Sequence, residues 1–132
     1  MISVLFICHG NICRSPMGEF ILKDLAARAG LQDRLSIASA AVSREEIGNP
    51  VYPPARQELA AHGISCKGKT AVQVCAADYD RYRYILYMEQ ANLPRLLRIV
   101  GPDKAGKCHR LLDFTGHPGD IDDPWYTGCL LY

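Results

Sequence analysis

A run of apolar residues from Ile2 to Ile7, broken only by Ser3, ends in Cys8-His9-Gly10-Asn11-Ile12-Cys13-Arg14-Ser15-Pro16. The run reads as a buried strand. A helical pattern starts directly after the nonapeptide: Ser15 suits an N-cap, Pro16 suits the first helical position, and Met17, Phe20, Ile21 and Leu25 recur on one face. The chain must therefore turn from strand to helix within a few residues, with a cysteine on one side of the turn and an arginine on the other. Gly10 and Asn11 lie between them, and both residue types tolerate the left-handed backbone that a tight loop needs.

Such a turn makes an anion site with a nucleophile at its floor. Consecutive backbone N–H groups in a tight loop converge on a centre, and the helix N-terminus adds positive potential there. His9, Gly10, Asn11, Ile12, Cys13, Arg14 and Ser15 are the candidate phosphate-binding residues, with Arg14 offering a planar fork that matches two phosphate oxygens. The same charges would stabilise a thiolate on Cys8, and the Ser15 hydroxyl is within reach of the sulfur. A cysteine that ends a core strand is ordinarily packing. The Cys-x5-Arg-Ser-Pro spacing at a strand-to-helix turn argues for chemistry instead.

The remaining composition narrows the class. A chain of 132 residues with 48% apolar and 22% charged residues matches one soluble globular domain, expected to span 1–132. A net charge of +1 gives no overall field for nucleic acid or an anionic membrane. No apolar run is long enough to cross a bilayer, and Met1–Ile7 is too short for a signal peptide, so a cytoplasmic location is expected. The six cysteines lack a Cys-x-x-Cys pair, and the four histidines form no ligand cluster, so neither a disulfide framework nor a metal is expected. His9, His109 and His117 read as loop or surface residues.

Beyond the first helix, Gly30 reads as its stop. Leu35 to Val42 forms a second strand, Ser43 to Pro50 a polar loop, and Pro53 to His62 a helix stopped by Gly63. A third strand covers Tyr84 to Met88, a short helix Asn92 to Val100, and a fourth strand Cys108 to Phe114. Strands alternating with helices specify an α/β fold: a single domain with a four-stranded, mostly parallel sheet flanked by helices. Ligands of such sheets bind beyond the carboxyl ends of the strands, where Cys8 lies. Near the C-terminus, Asp122-Asp123-Pro124-Trp125-Tyr126 reads either as a plain turn or as a carboxyl held over a pocket with two aromatic flanks.

The segment Val4-Leu5-Phe6-Ile7-Cys8-His9-Gly10-Asn11-Ile12-Cys13-Arg14-Ser15-Pro16-Met17 resembles the phosphate loop of the low-molecular-weight protein tyrosine phosphatases. The resemblance extends to Glu46-Ile47-Gly48-Asn49-Pro50, similar to the family's variable loop, which forms one wall of the substrate cleft. Members that prefer bulky aromatic substrates often carry an aromatic residue just before this Glu; here Glu45 stands in that place. His62-Gly63-Ile64 and Met88-Glu89-Gln90-Ala91-Asn92 also look like family segments, assigned to scaffold. The Asp-Pro segment resembles the family's general-acid loop, which puts the acid on Asp123, with Asp122 and Asp120 ranked behind it and Trp125 and Tyr126 beside the substrate.

The resemblance implies a flavodoxin-like topology and a phosphomonoesterase acting on phosphotyrosine proteins without cofactor. Cys8 would be the nucleophile, Arg14 the phosphate clamp, Asp123 the acid, and Cys13 a redox partner of Cys8. Protein arginine phosphatases and thiol-dependent arsenate reductases share the fold. The former tend to carry Thr where this chain has Ile12, and the latter need relay cysteines, for which Cys66 and Cys75 are the candidates. A non-enzymatic phosphate binder is the remaining alternative. The family continues after the Asp-Pro loop into a long C-terminal helix beside the first one. Here Tyr126-Thr127-Gly128 leads only to Cys129-Leu130-Leu131-Tyr132. The helix therefore looks missing, and an exposed apolar strip, dimerisation through that face, lower stability and weak activity are expected.

Overall fold

The computed structural model describes residues 1–121. The expectations placed on Asp122, Asp123, Pro124, Trp125, Tyr126 and the missing helix lie outside these residues. In chain order the elements are β1 (Ile2–Cys8), α1 (Arg14–Arg28), β2 (Leu35–Ala41), α2 (Pro53–Ala61), α3 (Asp78–Arg81), β3 (Tyr84–Tyr87), α4 (Asn92–Val100), β4 (Cys108–Arg110) and a 3₁₀ turn (Leu111–Phe114). The sheet order is β2-β1-β3-β4, and every pairing is parallel. The chain leaves β1 toward β2 on one side and later reaches β3 on the other. The carboxyl end of β1 is thus the point where strand order reverses, and Cys8 is its last residue.

β1 is buried on both faces, which explains its nearly continuous apolar sequence. Leu5 and Ile7 join a cluster with Val42, Val74, Ile85, Tyr87 and Leu96, while Val4, Phe6 and Cys8 face the opposite side with Leu86, Met88 and Ile121. On that second side α1 lies very close to the sheet: a Cβ on Gly18 would come 2.9 Å from the Phe6 ring. Any side chain at this position would push α1, and the loop before it, off the strand. Both α1 and α2 stop in the same way. Leu31 N–H bonds to Ala26 C=O and Gly30 N–H to Ala27 C=O, and Ile64 and Gly63 do the same to Leu59 and Ala60. Each motif requires a left-handed residue, supplied by Gly30 (φ 72°) and Gly63 (φ 73°).

Three local readings are corrected. α1 begins at Arg14, so Ser15 is not its N-cap; Cys13 holds that position without a side-chain cap. The Ser15 hydroxyl is engaged elsewhere, and Pro16 still falls within the first turn, where its missing N–H costs nothing. The fourth strand stops at Arg110, and Leu111–Phe114 turns as 3₁₀. In a strand Leu111 and Leu112 would point to opposite faces; the turn lets both pack against the cluster of Phe6 and Met88. On α1, Met17 is buried, but Ile21 is 38% and Leu25 55% exposed. They border an open groove of about 350 Å³ between α1 and the 3₁₀ turn, with Phe6, Leu22, Met88 and Leu112 among its walls. The expected apolar strip along helix one is thus present among the described residues. The short α3 was not expected from the pattern of the sequence. Among the described residues no helix is long and apolar enough to cross a membrane.

Candidate active site

The loop from His9 to Cys13 is pinned to the scaffold on both flanks. Val42 N–H bonds to Cys8 C=O and Ser43 N–H to His9 C=O, each at 3.1 Å, so the start of the loop is an extension of the sheet toward β2. On the far side Tyr52 N–H, at the start of α2, bonds to Ile12 C=O at 2.6 Å. Between these anchors Asn11 takes a left-handed conformation, φ 58°, the one non-glycine residue among those described to do so. The turn it creates aims its own N–H at Cys8 Sγ, 3.2 Å away.

The Asn11 side chain explains why that conformation persists. Its Oδ1 accepts from Val72 N–H at 3.1 Å, which fixes the orientation of the amide. Nδ2 then donates to Ser15 Oγ at 2.8 Å and to Ser39 Oγ at 2.9 Å. The Ser15 hydroxyl so held lies 3.1 Å from Cys8 Sγ, at hydrogen-bond distance. Ser39 in turn donates to Glu19 Oε1, and Glu19 is held by Lys23 and Lys69. Burial lowers the proton affinity of Lys69, and the Glu19 carboxylate opposes that effect. Cys8, 3% exposed, thus has its sulfur against Asn11 N–H and the Ser15 hydroxyl, in a network that reaches the surface at Lys23. Cys108 has no comparable setting: burial, with Asp103 adding, pushes its thiol up to about 11.

Arg14 closes the other side of the loop. It is only 3% exposed, and its Nη1 lies 3.1 Å from Glu89 Oε1 and donates to Ile121 C=O at 2.9 Å. A buried guanidinium requires such partners. Ile121 is itself bonded through its N–H to Met88 C=O, and Asp120 accepts from Gln90 N–H and Arg110. The chain therefore enters residue 122 from a position fixed against both β3 and Arg14. Asp120, a lower-ranked candidate for the acid, has its carboxylate committed to this anchorage.

Opposite Arg14, the polar loop after β2 forms a rim. His9 Nε2 and Glu45 Oε2 are 3.0 Å apart, and Glu46 packs over Gly10, where a Cβ would meet Glu46 Cγ at 3.2 Å. The structure thus gathers Cys8, the whole His9–Ser15 loop, Arg14 and Glu45 into one site. Asp123, Trp125 and Tyr126 fall outside the described residues. Sequence reasoning left Glu89 as scaffold and did not find Ser39, Glu19 or Lys69 in the network. It placed His9 in the phosphate loop and did not find its contact with Glu45. Glu89 follows β3 by two residues, at the carboxyl end of the sheet, and that position was the available signal. Cys66, a relay candidate, is buried in the cluster with Cys13, Val51 and Leu59.

Arranged in this way, the site can hold a tetrahedral oxyanion against a hydrogen-bonded sulfur. The network predicts that Asn11→Ala, which strands Val72 N–H and forces a side chain without hydrogen bonds into φ 58°, costs about 2–4 kcal/mol of stability. Alkylation of Cys8 by iodoacetate at fixed pH should slow together with it; an unchanged alkylation rate would mean that Asn11 does not set the loop.

Comparison with known proteins agrees with this geometry. Residues 3–131 match the family model described as low molecular weight phosphotyrosine protein phosphatase. The low molecular weight protein-tyrosine-phosphatase YfkJ of Bacillus subtilis is 42% identical over 130 residues, covering 97% of this chain and 83% of the relative. Its crystal structure superposes with a TM-score of 0.93 over 98% of this chain and 82% of that one. The low molecular weight phosphotyrosine protein phosphatase of Rattus norvegicus is 35% identical, covering 94% of this chain and 80% of the relative. Vibrio vulnificus Wzb in complex with benzylphosphonate is 30% identical with a TM-score of 0.81, covering 94% and 82%. With the strand, loop and helix that carry the thiol and the guanidinium matched along nearly its whole length, the chain belongs to the low molecular weight phosphotyrosine protein phosphatases, cysteine-dependent enzymes that hydrolyse phosphotyrosine.

Proposed function

We propose that Cys8, Arg14 and Asp123 carry the hydrolysis of phosphotyrosine in this chain. The observation that supports the reading best is the setting of Cys8 Sγ, which accepts from Asn11 N–H at 3.2 Å and lies 3.1 Å from the Ser15 hydroxyl. Cys8 attacks phosphorus in line; the S–P bond forms as the P–O bond to the aryl group breaks. Arg14 exchanges Glu89 for two phosphate oxygens and, with the His9–Ser15 loop, stabilises charge on the equatorial oxygens. Asp123 gives its proton to the leaving phenol oxygen. As a carboxylate it then takes a proton from water, which attacks phosphorus and frees the thiolate. Trp125 and Tyr126, with Glu45 opposite, border the ring of the substrate. No cofactor takes part, and the whole chain, 1–132, acts as one domain.

The partners of this reading are phosphotyrosine-bearing proteins, and its setting is the cytoplasm. Cys13 serves as a redox partner: peroxide takes two electrons and two protons from Cys8 and Cys13, giving a disulfide and water. The groove bordered by Ile21 and Leu25 is the face through which two copies associate.

The reading is tested by turnover of p-nitrophenyl phosphate that a chelator leaves unchanged. Cys8→Ser should abolish turnover while phosphate still binds. Asp123→Ala should slow aryl phosphates with poor leaving groups by about 10²–10⁴-fold and those with good ones much less. The same pattern from Asp122→Ala alone would transfer the acid to Asp122. Mass spectrometry after mild peroxide should find a Cys8–Cys13 disulfide reversed by thiol; sulfinic Cys8 alone would remove Cys13 from this role. Sedimentation should show a dimer that Leu25→Glu dissociates, whereas a monomer at micromolar concentration would free the groove from that role.

A further inference from the structure

We propose that Glu45 is a specificity residue that favours phosphotyrosines flanked by lysine or arginine. This deepens the phosphatase reading and rests on it. Glu45 lies on the loop that Ser43 N–H ties to His9 C=O at 3.1 Å, so its position is fixed relative to the floor of the site. His9, the residue after Cys8, holds one of its carboxylate oxygens at 3.0 Å. The His9 side chain is 28% exposed and that of Glu45 68% exposed, so the imidazole is the inner post and the carboxylate the outer one. The second Glu45 oxygen has no partner among the described residues.

The neighbouring carboxylates are differently employed. Glu46 packs on Gly10 and accepts from Asn49 Nδ2 at 2.6 Å, Glu89 pairs with Arg14, and Asp120 with Arg110. Glu45 therefore presents a held, half-used negative charge at the mouth of an anion site. A carboxylate there repels the substrate phosphate and can contribute nothing to its binding. Its favourable partner lies outside the phosphate, on the polypeptide that carries the phosphotyrosine, and among peptide side chains a cation complements its charge best. An aromatic side chain at this position would stack on the phenol ring and be indifferent to the charge of the flanks.

The test uses three phosphotyrosine peptides of one length with Arg, Ala or Asp beside the phosphorylated residue, and compares kcat/KM for each with that for free phosphotyrosine. The native enzyme should prefer Arg over Asp. Glu45→Gln should cut that ratio about two- to fivefold, mostly through KM, as expected for one partly exposed ion pair. Added salt should shrink the native ratio and leave that of the variant nearly unchanged. His9→Asn, which loosens the post, should move the ratio in the same direction. Dissociation constants of the three peptides for Cys8→Ser, with and without Glu45→Gln, read the same preference without turnover. A failure of the proposed catalytic roles would therefore appear in rates and leave this comparison intact. Equal values for the Arg and Asp peptides, a preference for Asp set by the adjacent exposed Arg44, or a ratio that Glu45→Gln leaves unchanged would each overturn the proposal.

Discussion

The side chain of Asn11 is the contact on which this site depends. A left-handed conformation costs an ordinary residue about 1–2 kcal/mol, and a buried carboxamide costs more unless all its hydrogen-bonding capacity is met. Here the backbone strain and the buried amide resolve each other. The φ of 58° carries the carboxamide to Val72, Ser15 and Ser39 and carries the N–H to the sulfur. Glycine would adopt the same backbone without holding it, and asparagine does both. Because Val72 precedes Val74 of the main core cluster, the loop is referenced to the core as well as to its neighbours in sequence.

Charge at the site is handled by short, paired connections. Arg14, almost fully buried, rests between Glu89 and the carbonyl of Ile121. In the proposed mechanism a phosphate entering the loop would compete with Glu89 for the guanidinium, so that desolvation of the arginine is met beforehand and its partner exchanged rather than created. The bond to Ile121 adds a mechanical consequence: the proposed phosphate clamp, Arg14, also holds the origin of the chain leading to Asp123. Asp120, fixed by Arg110 and by Gln90 N–H, keeps that origin in register with the end of β3.

The parts legible in sequence were those encoded by adjacent residues. The run to Ile7, the Cys8-to-Arg14 spacing and the glycines after α1 and α2 each specify their geometry within a few positions, and strand, loop and stops lie where those signals fall. The Glu19–Ser39 bond and the His9–Glu45 pair join residues 20 and 36 positions apart. Local periodicity carries no trace of them. Ser15 was misread because its residue type suits an N-cap, while tertiary contacts with Asn11 and Cys8 claim its hydroxyl. Leu111 and Leu112 were misread because β-propensity is a property of the surface a strand packs on, and that surface lies on one side only.

The two halves of the site differ in how tightly they are bound to the fold. The floor is made of backbone groups and short side chains, with partners in β1, β2, α1 and the segments that follow β2 and precede α2. Changing one leaves a buried donor or acceptor unsatisfied, at about 1–3 kcal/mol for each group. The rim opposite Arg14 is made of His9 and Glu45 side chains whose outer ends reach solvent, where an ion pair contributes little to stability. Substitutions at Glu45 are therefore expected to leave the sulfur, its hydrogen-bond partners and the sheet beneath as they are, which is what the proposed role in peptide choice requires. On the proposed roles, the chemistry would belong to the part of the molecule that the fold cannot give up, and the choice of substrate to the part that it can.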